Sequence, residues 1–152
     1  NGQAVGSDKY DYKLAWLAAL ETWVAEQLTA CPQLALAGDF NIAPDDRDVH
    51  DPAAWAGQIL CSDAERSAFQ RLLALGLHDS FRLFEQPEKT FSWWDYRMLG
   101  FQRNQGLRID HILLSEPLRA RCTASGIDRE MRKRERPSDH APSIVDLAEL
   151  AD

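Results

Sequence analysis

The sequence predicts an α/β or α+β fold in a single unit, and three observations carry that prediction. Leu14, Leu17, Leu20, Val24 and Leu28 recur at three- and four-residue steps, the period of an amphipathic helix. Pro32 stops that helix, and the apolar run Leu34-Ala35-Leu36-Ala37-Gly38 follows at once, short and bounded like a buried strand. Further along, aromatic and branched segments alternate with polar stretches in the manner of additional strands. A helix that delivers the chain directly into a buried strand is an α/β or α+β arrangement.

The elements follow in order. Residues 1–9 are polar and glycine-rich, a loop, and the first helix runs from Tyr10 to Leu28. Residues 43–58 carry Pro44, Asp45, Asp46, Asp48, Asp51, Pro52 and Gly57 without a steady period, which predicts a long loop. Ser62-Asp63-Ala64-Glu65 has the spacing of a capping box. The helix it opens shows Phe69, Leu72 and Leu73 on one stripe, and Gly76 suits its C-terminal cap. Leu77 to Phe81 reads as a short connection. Thr90-Phe91-Ser92-Trp93-Trp94 and Leu107 to Leu114 read as strands, with further strands at 122–128 and Ser143–Leu147. Pro137 to Pro142 is a bend.

With 152 residues, 45% hydrophobic and 27% charged, the chain is globular in composition and large enough for a real core. No stretch has the length of a membrane span, and no signal peptide opens the chain, so a cytoplasmic protein without a membrane partner is expected. Three widely spaced cysteines, an odd number, argue against a disulfide framework or a zinc knuckle and for a reducing compartment. The formal charge of −7 is uneven: residues 1–80 hold 12 acids and 5 bases, whereas 81–152 hold 12 of each. The basic stretch from Arg129 to Arg136 is either a solvated face or a contact for an anionic partner.

Polar groups emerge beside apolar segments at three stations. Asp39 and Asn41 end the first strand, two residues apart and therefore on one face of an extended backbone; an ordinary turn is the competing reading. Asp110 sits inside Leu107–Leu114, where a carboxylate must be paired, exposed in a cleft, or on the wet side of an edge strand. Asp139-His140 lies in the proline-bounded bend. Together these residues offer three carboxylates, an imidazole and an amide. Such a set can hold a hard divalent cation, activate a water and stabilise a phosphoryl group.

The motifs Gly38-Asp39-Phe40-Asn41, Thr90 to Arg97, Gly106-Leu107-Arg108-Ile109-Asp110 and Ser138-Asp139-His140-Ala141-Pro142 occur in one order over essentially the whole chain. In this the sequence resembles the exodeoxyribonuclease III (AP endonuclease) branch of the endonuclease/exonuclease/phosphatase superfamily. The resemblance implies a four-layered α/β sandwich of two packed sheets flanked by helices. It also implies an Mg²⁺- or Mn²⁺-dependent DNA-repair nuclease, a monomer when intact, acting on double-stranded DNA with abasic sites or 3′ ends. The implied activities are 3′→5′ exonuclease, abasic-site endonuclease and 3′-phosphatase.

Carried onto matching positions, the resemblance makes Asp39 the base that activates water, with Asn41 orienting water and phosphate. His140 contacts the scissile phosphate and Asp110 is its partner carboxylate. Asp39, Asn41, Asp139 and His140 are the implied metal-site residues. Trp93 matches the aromatic at the pocket for the abasic sugar, or is a core tryptophan. Arg97 contacts DNA phosphate, or forms a surface salt bridge, and Asn1 matches an amide near the DNA backbone. The chain resembles only the family's C-terminal part. The N-terminal half, with a metal-binding glutamate and an active-site tyrosine, has no counterpart in it, so an uncovered apolar sheet face and an inactive isolated chain are expected. Two rivals remain: a phosphatase or phosphodiesterase of the same superfamily acting on lipid or small phosphoesters, and a non-catalytic DNA-binding fragment.

Overall fold

Two helices lie over one face of a three-stranded antiparallel sheet, and Asp39 and Asp110 project from the other face. The structure is a computed structural model that describes residues 2–149; Asn1 lies outside the described residues. Helix α1 (Asp8–Ala30) starts two residues before the predicted Tyr10, because Ser7 caps it by accepting the Tyr10 amide at 3.2 Å. Strand β1 (Ala35–Asp39) follows Pro32 as predicted. The capping box at Ser62 and Glu65 is formed, opening helix α3 (Asp63–Ala74).

The region 43–58 contains two short elements inside the predicted loop, a 3-10 turn at Asp46–Asp48 and helix α2 (Pro52–Trp55). Leu77–Asp79 is a strand, β2, rather than a connection. It pairs with the end of the strand β5 (Asp110–Ser115), Leu77 opposite Ser115. The sheet order is β1-β5-β2.

The predicted strand Leu107–Leu114 is broken in two. Gly106–Leu107 forms β4, paired with β3 (Trp93–Trp94) in a separate two-stranded sheet, and β5 begins only at Asp110. The break falls at Arg108-Ile109, where the Arg108 amide bonds the Asp48 carbonyl at 2.9 Å and its side chain turns inward. Gly106 has no substitute here: an added Cβ would stand 2.7 Å from the Trp93 carbonyl oxygen and 2.5 Å from the Trp94 indole nitrogen. Helix α4 (Glu116–Arg119) then leads to the hairpin β6 (Cys122–Ile127) and β7 (Ser143–Leu147), which packs beside β5.

The main core lies between α1, α3 and the sheet, and consists of Leu17, Val24, Phe40, Ile42, Ala68, Phe69, Leu72, Leu77 and Leu113. His111 belongs to the same layer, 4.8 Å from the Phe69 ring and 5.4 Å from Phe40. Because side chains alternate along a strand, Asp39 and Asp110 project to the opposite face from their neighbours Phe40 and His111. On β1 that face is open at Ala35 and Ala37, which are exposed; Tyr12, Trp16 and Trp23 on α1 are exposed too. All three cysteines are free thiols, and among the described residues no helix is long and apolar enough to cross a membrane.

Candidate active site

Strand pairing decides the geometry. In the antiparallel β1–β5 register Asp39 stands directly opposite Asp110, so two carboxylates share one face of the sheet. Like charges in that relation repel. The structure answers with His140, brought in from the 137–142 bend. Its Nδ1 lies 2.9 Å from Asp110 Oδ2, and its Nε2 lies 4.0 Å from Asp39 Oδ2. Ligand atoms of Asp39, Asp110 and His140 all fall within 4.8 Å of one another.

Several backbone contacts hold these groups in place. The buried Ser92 hydroxyl accepts the amides of Ile109 and Asp110, both at 3.0 Å, which fixes the first residue of β5. The Ser92 carbonyl accepts the Ala141 amide at 2.7 Å, and Trp94 N–H donates to the Asp139 carbonyl at 3.0 Å. The bend is thereby sewn to the aromatic segment on both sides of His140. Arg132 completes the support. It is buried, its guanidinium lies 4.9–5.9 Å from the ring centres of Trp94, Tyr96 and Phe101, and it donates to the Ser138 carbonyl. Tyr96 Oη donates to the Pro137 carbonyl at 2.8 Å. Part of the basic stretch 129–136 is thus structural: the charge of Arg132 faces aromatic rings, not solvent.

Asn41 occupies the left-handed region, φ 51°. Asparagine tolerates that conformation better than most residues. There its amide and carboxamide both turn back onto Asp39, at 2.8 and 2.9 Å to the two carboxylate oxygens.

The electrostatics follow from burial and neighbours. Partial burial, with the Asp110 charge adding to it, holds the Asp39 carboxyl above the usual aspartate value, against the lowering effect of the Asn41 amide and His140. The hydrogen bond to Asp110 raises the His140 imidazole above its ordinary value, with the surrounding carboxylates contributing and burial opposing. His111, next along β5, goes the other way. Burial and the adjacent Arg108 push it down to about 4. It is a structural neutral imidazole, with one ring nitrogen 2.8 Å from the Ile42 carbonyl and the other 3.1 Å from Arg108.

The other candidates are distributed as follows. Asp139 is on the same bend but its carboxylate accepts the Trp93 indole N–H at 3.0 Å, outside the cluster of three. Trp93 is half-buried, packed against a small core with Val49, Leu107 and Ile109. The Arg97 side chain is 85% exposed and paired with Asp95 at 2.6 Å.

Sequence reasoning missed three contributors. Ser92 lies within a motif singled out for its aromatics. Arg108 interrupts an apolar run; it is fully buried and its guanidinium bridges Asp48 (2.7 and 3.2 Å) and Asp79 (3.1 and 2.7 Å). An arginine inside an otherwise apolar run was the available signal. The third is Lys13, buried beneath Asn41.

Comparison with known proteins agrees with this architecture. Residues 3–140 match the model of the Endonuclease/Exonuclease/phosphatase family. The exodeoxyribonuclease III of Haemophilus influenzae is 40% identical over 141 residues, covering 88% of this chain and 53% of that protein. The structure of the 3′ phosphatase NExo from Neisseria, bound to product DNA hairpin, superposes with a TM-score of 0.95 at 46% identity, covering 98% of this chain and 58% of that one. An AP endonuclease from Archaeoglobus fulgidus gives 0.90 at 33% identity, covering 96% and 57%. The chain spans about half the length of the curated relatives it matches.

Proposed function

Since this chain belongs to the endonuclease/exonuclease/phosphatase family, with the α/β fold of that family in part and exodeoxyribonuclease III and AP endonucleases among its relatives, we propose that it carries half of the active site of a DNA-repair nuclease. The reaction is hydrolysis of phosphodiesters in duplex DNA by attack of water. The observation that supports this best is the pairing of Asp39 with Asp110 across one register, capped by His140 at 2.9 Å.

Each side chain then has a task. Asp39, carrying a raised pKa and oriented by two Asn41 donors, accepts the proton of the attacking water. His140, biased toward its charged form by Asp110, presents Nε2 toward the same space and offsets charge developing on the phosphoryl oxygens. Asp110 keeps the imidazole in one orientation, and Ser92 keeps Asp110 there.

Two carboxylates and an imidazole within 4.8 Å suit a hard divalent cation, and Mg²⁺ or Mn²⁺ fits the oxygen-rich donor set. Asp39 and Asp110 are the residues that would hold it, with Asn41 and Asp139 adjoining and the charged His140 beside the ion rather than bound to it. When bound, the ion would supply neutralisation of phosphate charge. Double-stranded DNA with abasic sites or 3′ ends is the proposed substrate, with Trp93 at the edge of the sugar pocket and Arg97 facing the backbone. The exposed face of β1 and α1, with Trp16 and Trp23, is read as the surface that a family N-terminal half covers.

The test joins this chain to the N-terminal half of a family member and assays abasic duplex with Mg²⁺. Cleavage that Asp39→Asn and His140→Ala abolish supports the reading. Equal hydrolysis of an inositol phosphate would move the assignment to a small-phosphoester phosphatase. Salt-sensitive DNA affinity without cleavage would make the chain a DNA-binding module.

A further inference from the structure

Asn41 departs from the strand in a left-handed conformation, and something must hold it there. The Lys13 ammonium donates to the Asn41 carbonyl at 2.6 Å and pairs at the same time with Glu65. Lys13 is 7% exposed and Glu65 0%. Glu65 is in turn saturated: its second oxygen accepts the Ser62 amide at 3.2 Å and hydroxyl at 2.7 Å, and Tyr10 Oη lies 2.7 Å from that hydroxyl. Two helices and the end of β1 therefore meet at one buried cation.

A buried ion pair is a poor source of stability compared with apolar packing, because both charges must leave water. What this pair does that leucines could not is satisfy a carbonyl that the sheet has abandoned. Phe40 still bonds the Ile109 carbonyl at 3.0 Å; one residue on, the Asn41 carbonyl points away from β5 into the helix layer. With that carbonyl held by Lys13, the peptide plane that follows Asn41 is fixed, and the Asn41 amide and carboxamide on the other side of the residue face Asp39.

We propose that Lys13, braced by Glu65, is a positioning residue that locks Asn41 in its left-handed conformation and so sets the orientation of the Asp39 carboxylate. It acts on the site from behind, through the backbone, and touches no substrate. The inference rests on the functional reading above for its consequence in catalysis, but not for its geometry.

The test uses K13M, which keeps the stem, and K13M/E65Q. The double variant removes both charges while glutamine preserves the capping box, so it covers the case in which the single variant fails to fold. In the 152-residue chain, hydrogen exchange at the Asn41 amide is expected to accelerate about tenfold or more, as its bond to Asp39 loosens. Exchange at the Phe40 amide, one residue away in the ladder, should stay within about twofold. Equal exchange at Asn41 in a cooperatively folded double variant overturns the proposal. In the chain completed with a family N-terminal half, kcat should fall by about 10- to 100-fold with KM little changed. If N41A cleaves abasic DNA as well as the parent, the catalytic reading of Asn41 fails, whereas the exchange result still decides the anchor.

Discussion

Asp39 and Asp110 are direct cross-strand partners, carboxylate opposite carboxylate on the same face of the β1–β5 pair. A sheet gains nothing from that arrangement. It persists because His140 sits between them, hydrogen bonded to one and 4.0 Å from the other. Removing the imidazole should therefore expose the repulsion. His140→Ala is expected to lower phosphodiester hydrolysis by about 10²–10³-fold in the completed enzyme, the usual worth of a positioned group that stabilises developing charge. Asp110→Asn should lower it as well, because the ring loses its orientation and charge bias and the cluster loses a carboxylate. Single-turnover rates on abasic duplex measure both.

The same cluster should bind a divalent ion measurably. Titrating the chain with Mn²⁺ is expected to broaden NMR signals of Asp39, Asp110 and His140 before those of exposed acids such as Asp63. Asp39→Asn/Asp110→Asn should abolish the early broadening. Uniform broadening across surface acids would remove the site.

The two neighbouring histidine environments should titrate in opposite directions. His140 is raised above 6.5 by Asp110, so its folded-state proton stabilises the protein below that pH, and the contribution is lost as pH rises through the folded value. His111 is depressed from 6.5 to about 4. Its burial as a neutral ring favours folding above pH 6.5, and that advantage fades as pH falls from 6.5 toward about 4, by on the order of 3 kcal/mol. Asp39 is raised, so it opposes folding once deprotonated, above the ordinary aspartate range. Histidine ring NMR across pH 4–9 checks the imidazoles. A His111 that titrates near 6.5 would contradict its buried, Arg108-bonded placement.

Arg108 bridges two buried carboxylates, so its removal leaves Asp48 and Asp79 facing each other without a common cation. Arg108→Met should destabilise by about 3–5 kcal/mol in urea unfolding, the range for one partner removed from a buried pair. Arg82 also reaches Asp48 and softens the loss.

Arg132 supports the His140 bend through the Ser138 carbonyl while sitting over Trp94, Tyr96 and Phe101. Arg132→Met is expected to destabilise by about 1–3 kcal/mol. It should also raise amide exchange at residues 138–140 more than in the β1–β5 ladder. Equal exchange in both places would show that the cage stabilises the fold without steering the bend.

The sequence by itself determined the two long helices, the strand after Pro32, and the identity of Asp39, Asn41, Asp110 and His140 as groups worth watching. These depend on local periodicity, on caps and breakers, and on motifs read in order. Only the tertiary structure decided which of them meet. The register that sets Asp39 against Asp110 is a pairing between residues seventy-one positions apart, and no local pattern specifies it. The break at Arg108 was invisible for the same reason: an apolar run predicts one strand, but an arginine seeking Asp48 and Asp79 splits it between two sheets. Ser92, Lys13 and Arg132 act through backbone groups that have no signature in the one-letter code. A side chain's type can be read from the chain; the carbonyl it will satisfy exists only once the chain has folded.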